Sequence, residues 1–198
     1  MSIEVRRFTD ATVMPWANGG GTTRELLRIG PPGATNSFHW RVSVADVEGD
    51  GNFSRLPGID RTLILCTGAL MILTIDGVRH EVARWQPFAF DGGARVSCRI
   101  PAGPTQDLNV MAAHGVVDAE VAVFADWDDA IPITGAADYT LLVALADSIA
   151  VRTVGESQPI ALDRFDSVRL RRHESALITG SGAVARIVAT YRRPMPVT

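Results

Sequence analysis

The sequence predicts an all-β protein made of two β modules in tandem. Three observations carry that expectation: a hydrophobic period of two, closely spaced turn residues, and an internal repeat that begins at Thr62 and again at Thr140.

The period of two is clearest where Phe38, Trp40, Val42 and Val44 alternate with His39, Arg41, Ser43 and Ala45. Successive strand side chains point to opposite faces, so this run reads as a strand with one apolar and one mixed face. Leu63 to Cys66, Leu70 to Ile75, Val96 to Ile100 and Leu108 to Met111 follow as short β-branched or apolar runs. Val117, Ala119, Val121 and Val123 then alternate with Asp118 and Glu120, before Thr140 to Ala144, Ile149 to Thr153 and Val184 to Thr190. Between the runs stand Thr67-Gly68, Asp76-Gly77, Asp91-Gly92-Gly93, Pro101 to Pro104, Gly155 and Gly180-Ser181-Gly182. About a dozen or more strands at spacings of roughly 8–12 residues, with almost no helical stripe, is the pattern of a sandwich or barrel.

The repeat sets the architecture. Thr62-Leu63-Ile64-Leu65, an apolar strand, Gly77, and then Trp85, Phe88 and Phe90 match Thr140-Leu141-Leu142-Val143, a second strand, Gly155, and then Phe165, Val168 and Leu170. The spacing suits one small barrel or sandwich. The expected division is residues 1–112 and 113–198.

Composition narrows the function classes. At 198 residues, 46% apolar and 21% charged, with mean hydropathy +0.13, the chain can bury a sizeable core without metal or disulfide help. A net charge of −3 and a pI near 5.8 argue against nucleic acid and against an anionic membrane surface. All 19 basic residues are Arg, which excludes a lysine Schiff base and a Walker lysine. Cys66 and Cys98 lie in strand-like runs without a CxxC pairing and read as buried free thiols of a reducing compartment. The N-terminus lacks the apolar stretch of a signal peptide, and Leu63 to Ile75 is too short to span a bilayer, so a cytoplasmic location is expected.

The segment Trp16-Ala17-Asn18-Gly19-Gly20-Gly21-Thr22-Thr23-Arg24 has the glycines of an anion nest but no GK[ST], and Glu25 to Ile29 looks like strand. It reads as a structural loop or as a pocket wall. Arg41 and Ser43 share one strand face, and Asp107 and Asn109 share another. Facing inward, they would place a charged fork, a carboxylate, an amide and a hydroxyl in an apolar cup suited to a small molecule; facing outward, they are solvated sheet surface. Phe53-Ser54 and Asp60-Arg61 are rim candidates. His39, His80, His114 and His173 are scattered singly, so no metal site is expected. No GxSxG elbow supports a catalytic triad. Arg169, Arg171, Arg172 and His173 read as one solvated strand edge.

Asn18-Gly19-Gly20-Gly21-Thr22-Thr23-Arg24-Glu25, Trp40 to Ala45, Gly51 to Ser54, Leu56 to Arg61, Phe90-Asp91-Gly92 and Asp107 to Met111 together resemble the HutD/Ves family. The likeness covers the first 111 residues with specific motifs and is general beyond them. It implies a double cupin, two β-barrel or jelly-roll modules packed as one compact unit, in a bacterial protein associated with histidine utilisation. It further implies a ligand in the first cupin, a small carboxylated metabolite such as urocanate or N-formylglutamate. The motif positions carried over are Asn18, Thr23, Arg41, Ser43, Ser54, Arg61, Asp107 and Asn109. The histidine signature of metal-binding cupins is missing, so neither metal nor another cofactor is expected. Three readings follow. One is a metal-independent binding protein with an accessory or regulatory role. Another is an isomerase or hydrolase with Asp107 as general base, which a direct Arg41 pair would silence. The last is a homodimeric interaction protein of the family's stress-related branch.

Overall fold

The computed structural model describes residues 3–17, 19–31, 37–136, 138–153 and 158–192. Among them a single three-residue 3-10 turn, Phe8–Asp10, interrupts an otherwise all-β chain. The strands are β1 (Glu4–Arg6), β2 (Val13–Pro15), β3 (Gly21–Ile29), β4 (Trp40–Val47), β5 (Gly51–Asn52), β6 (Ile59–Thr67) and β7 (Met71–Ile75). Next come β8 (Val78–Val82), β9 (Pro87–Asp91), β10 (Val96–Arg99), β11 (Thr105–Ala113), β12 (Val117–Ala125) and β13 (Ile131–Thr134). The last are β14 (Tyr139–Ala144), β15 (Ile149–Thr153), β16 (Ile160–Leu162), β17 (Ser167–Leu170), β18 (Ser175–Gly180) and β19 (Ala183–Tyr191). No helix among the described residues is long and apolar enough to cross a membrane.

The chain divides into two compact units, Ala11–Val117 and Met1–Asp10 with Asp118–Thr198. The first module has a six-stranded sheet, β2-β3-β4-β11-β6-β9, and a four-stranded sheet, β5-β10-β7-β8. Ala45, Val47, Leu63 and Leu65 of the larger sheet form one core with Met71, Leu73, Val82, Val96 and Cys98 of the smaller. Each fully buried Leu or Val there contributes about 1.5–3 kcal/mol. Asp76 and Gly77, at φ 47° and 90°, close the β7–β8 hairpin in the left-handed geometry that matches strand twist. Cys66 and Cys98 are buried thiols, and Cys66 Sγ donates to Ile64 O at 3.2 Å.

The second module repeats the plan, with sheets β1-β17-β14-β19-β12 and β13-β18-β15-β16 around Leu142, Ala144, Ile149, Val151, Val168, Leu170, Ile178 and Val184. Here the expected division needs correction, because the first ten residues belong to this module and the boundary follows Val117. β1 adds to β17, with Val5 opposite Val168. Asp166 then accepts hydrogen bonds from the Phe8 amide at 2.8 Å and Arg7 Nη1 at 2.6 Å, and the Phe8 ring meets Phe165 edge-on at 5.0 Å. The same pairing corrects the reading of Arg169. It lies inside the sheet between β1 and β14, with its guanidinium 4.4 Å from the Tyr139 ring centroid, rather than on a solvated edge.

The repeat is real in three dimensions, but its first strand runs one residue out of step with the sequence match. Trp85 and Phe165 both hold positive φ, 63° and 69°. Their amides donate to Leu65 O at 2.9 Å and Ala144 O at 2.7 Å. Leu63 and Leu65 face the first core, and Leu142 and Ala144 face the second. Leu63 therefore corresponds to Leu142, not Leu141. A one-residue slip exchanges the two faces of a strand, so the distinction matters at the site. The Gly155 end of the match lies outside the described residues.

Candidate functional site

Three adjacent strands of the first module carry the polar residues in rows. Arg41, Met111 and Arg61 stand side by side across β4, β11 and β6. Ser43, Asn109 and Leu63 make the next row, and Ala45, Asp107 and Leu65 the third. The spacing of two along each strand turns these side chains to one face. That face lines a cavity of about 460 Å³. Arg41, Ser43, Asp107, Asn109, Arg61, Thr23 and Ser54, seven of the eight positions expected from sequence, all line it. Asn18 lies outside the described residues.

Two bulges flank the polar rows. One, between Glu25 and Leu27, leaves Leu26 as the extra residue against β4, and the other leaves Cys66 extra on β6 opposite the Gln106–Asp107 step. Bulges bend a strand and re-aim its side chains. Glu25, beside the first, accepts from Arg41 Nε at 2.7 Å and Arg28 Nε at 3.0 Å. Arg41 is thus paired with Glu25, and the direct Arg41–Asp107 pair weighed from sequence does not form.

Asp107 is tied instead to Arg61, through an amide. Arg61 Nη2 donates to Asn109 Oδ1 at 2.7 Å, and Asn109 Nδ2 donates to Asp107 Oδ1. A guanidinium has no acceptor and a carboxylate no donor, so only one orientation of the Asn109 amide satisfies both. All three side chains are buried, Asp107 completely. The Arg61 guanidinium lies over the Phe53 and Phe90 rings, with centroids at 5.1 and 4.9 Å. Burial lowers the Arg61 pKa to about 10, against the pull of Asp107, with Arg41 lowering it further. Burial likewise raises Asp107 to about 7, although Arg61 and the Asn109 hydrogen bond oppose the shift; Asp46 adds to it. Among the described residues, Asp107 Oδ2 and Arg61 Nε have no hydrogen-bond partner.

Gly19 and Gly20 lie between β2 and β3, and Gly21 to Arg24 open β3. The Trp16 amide donates to Gly21 O, and the Gly19 amide to Trp16 O, each at 3.0 Å. Trp16 lines the cavity, and its Nε1 donates to Thr23 Oγ1 at 2.8 Å. A Cβ at Gly21 would run into the Asp46 carbonyl oxygen and approach the Trp16 ring to 3.2 Å. Gly21→Ala is therefore expected to cost about 1–3 kcal/mol in urea unfolding and to shift Trp16 fluorescence. Trp16, Glu25 and Phe90 were not among the positions expected from sequence. Trp16 and Glu25 stand at the two ends of the glycine-rich motif and Phe90 opens the Phe90-Asp91-Gly92 motif, but no spacing in the sequence shows that a bulge brings Glu25 to Arg41.

In the second module, the places of Asp107, Asn109 and Arg61 fall to Val184, Arg186 and Thr140, opposite Ala144, Leu142 and Val188. The carboxylate has no counterpart there. Among the described residues no group of three or more His, Cys, Asp or Glu could hold a metal ion. The cavity's own set, one carboxylate among two guanidiniums, two amides and three hydroxyls, is a poor cation site. His114 instead meets Asp60 at 3.2 Å at the exposed surface, and His80 packs beside Phe88 at 5.2 Å.

A family profile described as HutD matches residues 9–187. The chain belongs to the HutD family. A 21.2 kDa protein encoded in the hutC 3′ region of Pseudomonas putida is 32% identical over 177 residues, covering 88% of this chain and 90% of that protein. Protein Ves of Citrobacter koseri is 37% identical over 121 residues, 59% of this chain and 62% of its own. Among solved structures, HutD of Pseudomonas fluorescens shares 30% identity at TM-score 0.81, covering 97% of this chain and all (100%) of that one. A conserved protein of unknown function from Pseudomonas aeruginosa shares 28% at TM-score 0.83, covering 96% and 100%. Oxalate decarboxylase of Bacillus subtilis, at 8% identity and TM-score 0.67 over 98% of this chain and 79% of its own, shows the fold alone. That fold is the cupin, so this HutD-family chain is an all-β double cupin linked to histidine utilisation.

Proposed function

We propose that the first cupin of this HutD-family chain binds a small carboxylated metabolite of the urocanate or N-formylglutamate class, without a metal, in an accessory or regulatory role. The observation that carries the reading is the meeting of the Arg41 and Arg61 guanidiniums with Asn109 and Ser43 in one cavity walled by Trp16, Phe53, Leu56 and Met111. Guanidinium forks favour carboxylates through charge-assisted hydrogen bonds. The aromatic and aliphatic walls suit a slim apolar body, and about 460 Å³ is within the range of small-molecule sites.

A thermal-shift series with urocanate, N-formylglutamate, glutamate and histidine tests the reading. Ligand at about 100 times its Kd adds about 2.7 kcal/mol of stability, which raises the melting temperature by several degrees. Arg41→Met should lose most of that shift while remaining folded. No shift with any of these compounds at millimolar concentration overturns the reading.

The buried, raised Asp107 favours a second reading, that of a general base in an isomerase or hydrolase. Turnover of a bound ligand that Asp107→Asn abolishes, with binding retained, would select it.

A further inference from the structure

We propose that the cavity takes up its carboxylate ligand together with one proton, and that Asp107 is the proton's seat. The inference rests on the carboxylate-binding reading and concerns how that same site balances its charge.

Both guanidiniums of the cavity are already engaged by carboxylates before any ligand enters. Arg41 is paired with Glu25, which Arg28 shares, and Arg61 is tied to Asp107 through Asn109. An added carboxylate must share Arg61 with Asp107, against walls of Trp16, Phe53, Leu56 and Met111, where water screens the repulsion between two anions poorly. A proton removes that repulsion if some group can accept it without losing bonds.

The surrounding groups differ sharply in that respect. Glu25 on β3 bridges Arg28 and Arg41, so protonation there would weaken two ion pairs. Asp46 on β4 accepts from Thr22 Oγ1 at 2.9 Å and Gln106 Nε2 at 2.7 Å. Asp50, preceding β5, accepts from the Ile100 amide at 2.8 Å and lies 3.5 Å from Arg99. Cys98 on the facing strand β10 is a neutral thiol, pushed up to about 12 by burial and then by Asp107 and Asp50. Asp107 alone in this set has a buried oxygen, Oδ2, without a hydrogen-bond partner among the described residues. A proton placed there breaks nothing, since Oδ1 goes on accepting from Asn109. It also frees the Arg61 charge for the ligand. Burial already holds this carboxyl near neutrality, at about 7, so the negative charge of a bound ligand tips it to the protonated form. A protonated Asp107 in the complex is not a general base, which sets this inference against the enzymatic reading.

Isothermal titration with N-formylglutamate tests it, because carboxylates of that kind remain ionised above about pH 6. Titrations in Tris and in phosphate, which differ in ionisation enthalpy, count the protons exchanged. The wild type is expected to take up close to one proton at about pH 8.5 and progressively fewer toward pH 6. Its Kd should weaken by about tenfold per pH step above about 7. Asp107→Asn should take up none, hold a pH-independent Kd, and bind at least about tenfold more tightly than wild type at pH 8.5. A flat wild-type Kd with no proton uptake at pH 8.5 overturns the inference while leaving carboxylate binding intact, as does a folded Asp107→Asn protein that keeps the full pH dependence. If Asp107→Asn does not fold, the wild-type proton count decides. Absence of any binding removes the carboxylate reading and this inference with it.

Discussion

Arg61→Met is expected to destabilise the protein by about 2–3 kcal/mol at pH 8 and by only about 1–2 kcal/mol at pH 5.5. At pH 8 the wild-type Asp107 is a completely buried carboxylate whose opposite charge reaches it through Asn109, and the substitution removes that charge, so that the folded variant must take up a proton there. Met preserves much of the aliphatic stem that Arg61 carries to Phe53 and Phe90, so the loss reports the missing charge rather than a cavity. Arg61 holds the Asp107 pKa down against burial, and without it that pKa rises further. At pH 5.5 Asp107 then carries a proton in the folded chain and needs no counter-charge, leaving mainly the lost stacking of the guanidinium on two rings. Urea unfolding at the two pH values checks this, and equal losses would mean that Arg61 acts through packing alone. Combining Arg61→Met with Asp107→Asn closes a double-mutant cycle, in which the double variant at pH 8 should recover most of the loss.

The strands that build the site were legible because their period of two is strict. Arg41 and Ser43, and Asp107 and Asn109, each stand two apart, and a sheet leaves such pairs no choice but to share a face. What spacing alone could not decide was whether both faces point inward. Leu63 and Leu65 settle it, since they share the register rows of Asn109 and Asp107 and lie in the core between the sheets.

Long-range pairing was not legible. β1 is only three residues long, and its partner Ser167–Leu170 lies more than 150 residues away, so no local pattern assigns the N-terminus to the second module. The one-residue slip of the repeat is hidden in the sequence for a related reason. Thr62 and Thr140 begin similar apolar runs, and in runs buried on both faces alternation is too weak to show which parity faces the core. The partner of Arg41 was hidden as well, because Glu25 reaches it across a bulge that only the paired strand reveals.

Asp107→Asn is expected to stabilise the protein at pH 8, by as much as about 4 kcal/mol, and to do little near pH 4. The sign follows from proton counts. The folded-state pKa of about 7 stands above the ordinary value of 3.8, so between those values the native chain holds a proton that the unfolded chain has released. Wild-type stability therefore falls as pH climbs from about 4 to about 7 and stays low above, by about 1.36 kcal/mol for each pH step in that interval. Asparagine at 107 has no proton to lose and shows no such slope. Its carbonyl oxygen can keep the hydrogen bond from Asn109, with its NH2 in the place of the unpartnered Oδ2. Melting temperatures of both proteins between pH 4.5 and 8.5 test this. Parallel curves would mean that Asp107 is as readily ionised in the folded chain as in the unfolded one. A natural chain that accepts a destabilising carboxylate at this depth, where the amide would fold better, is retaining it for a use that only the filled cavity discloses.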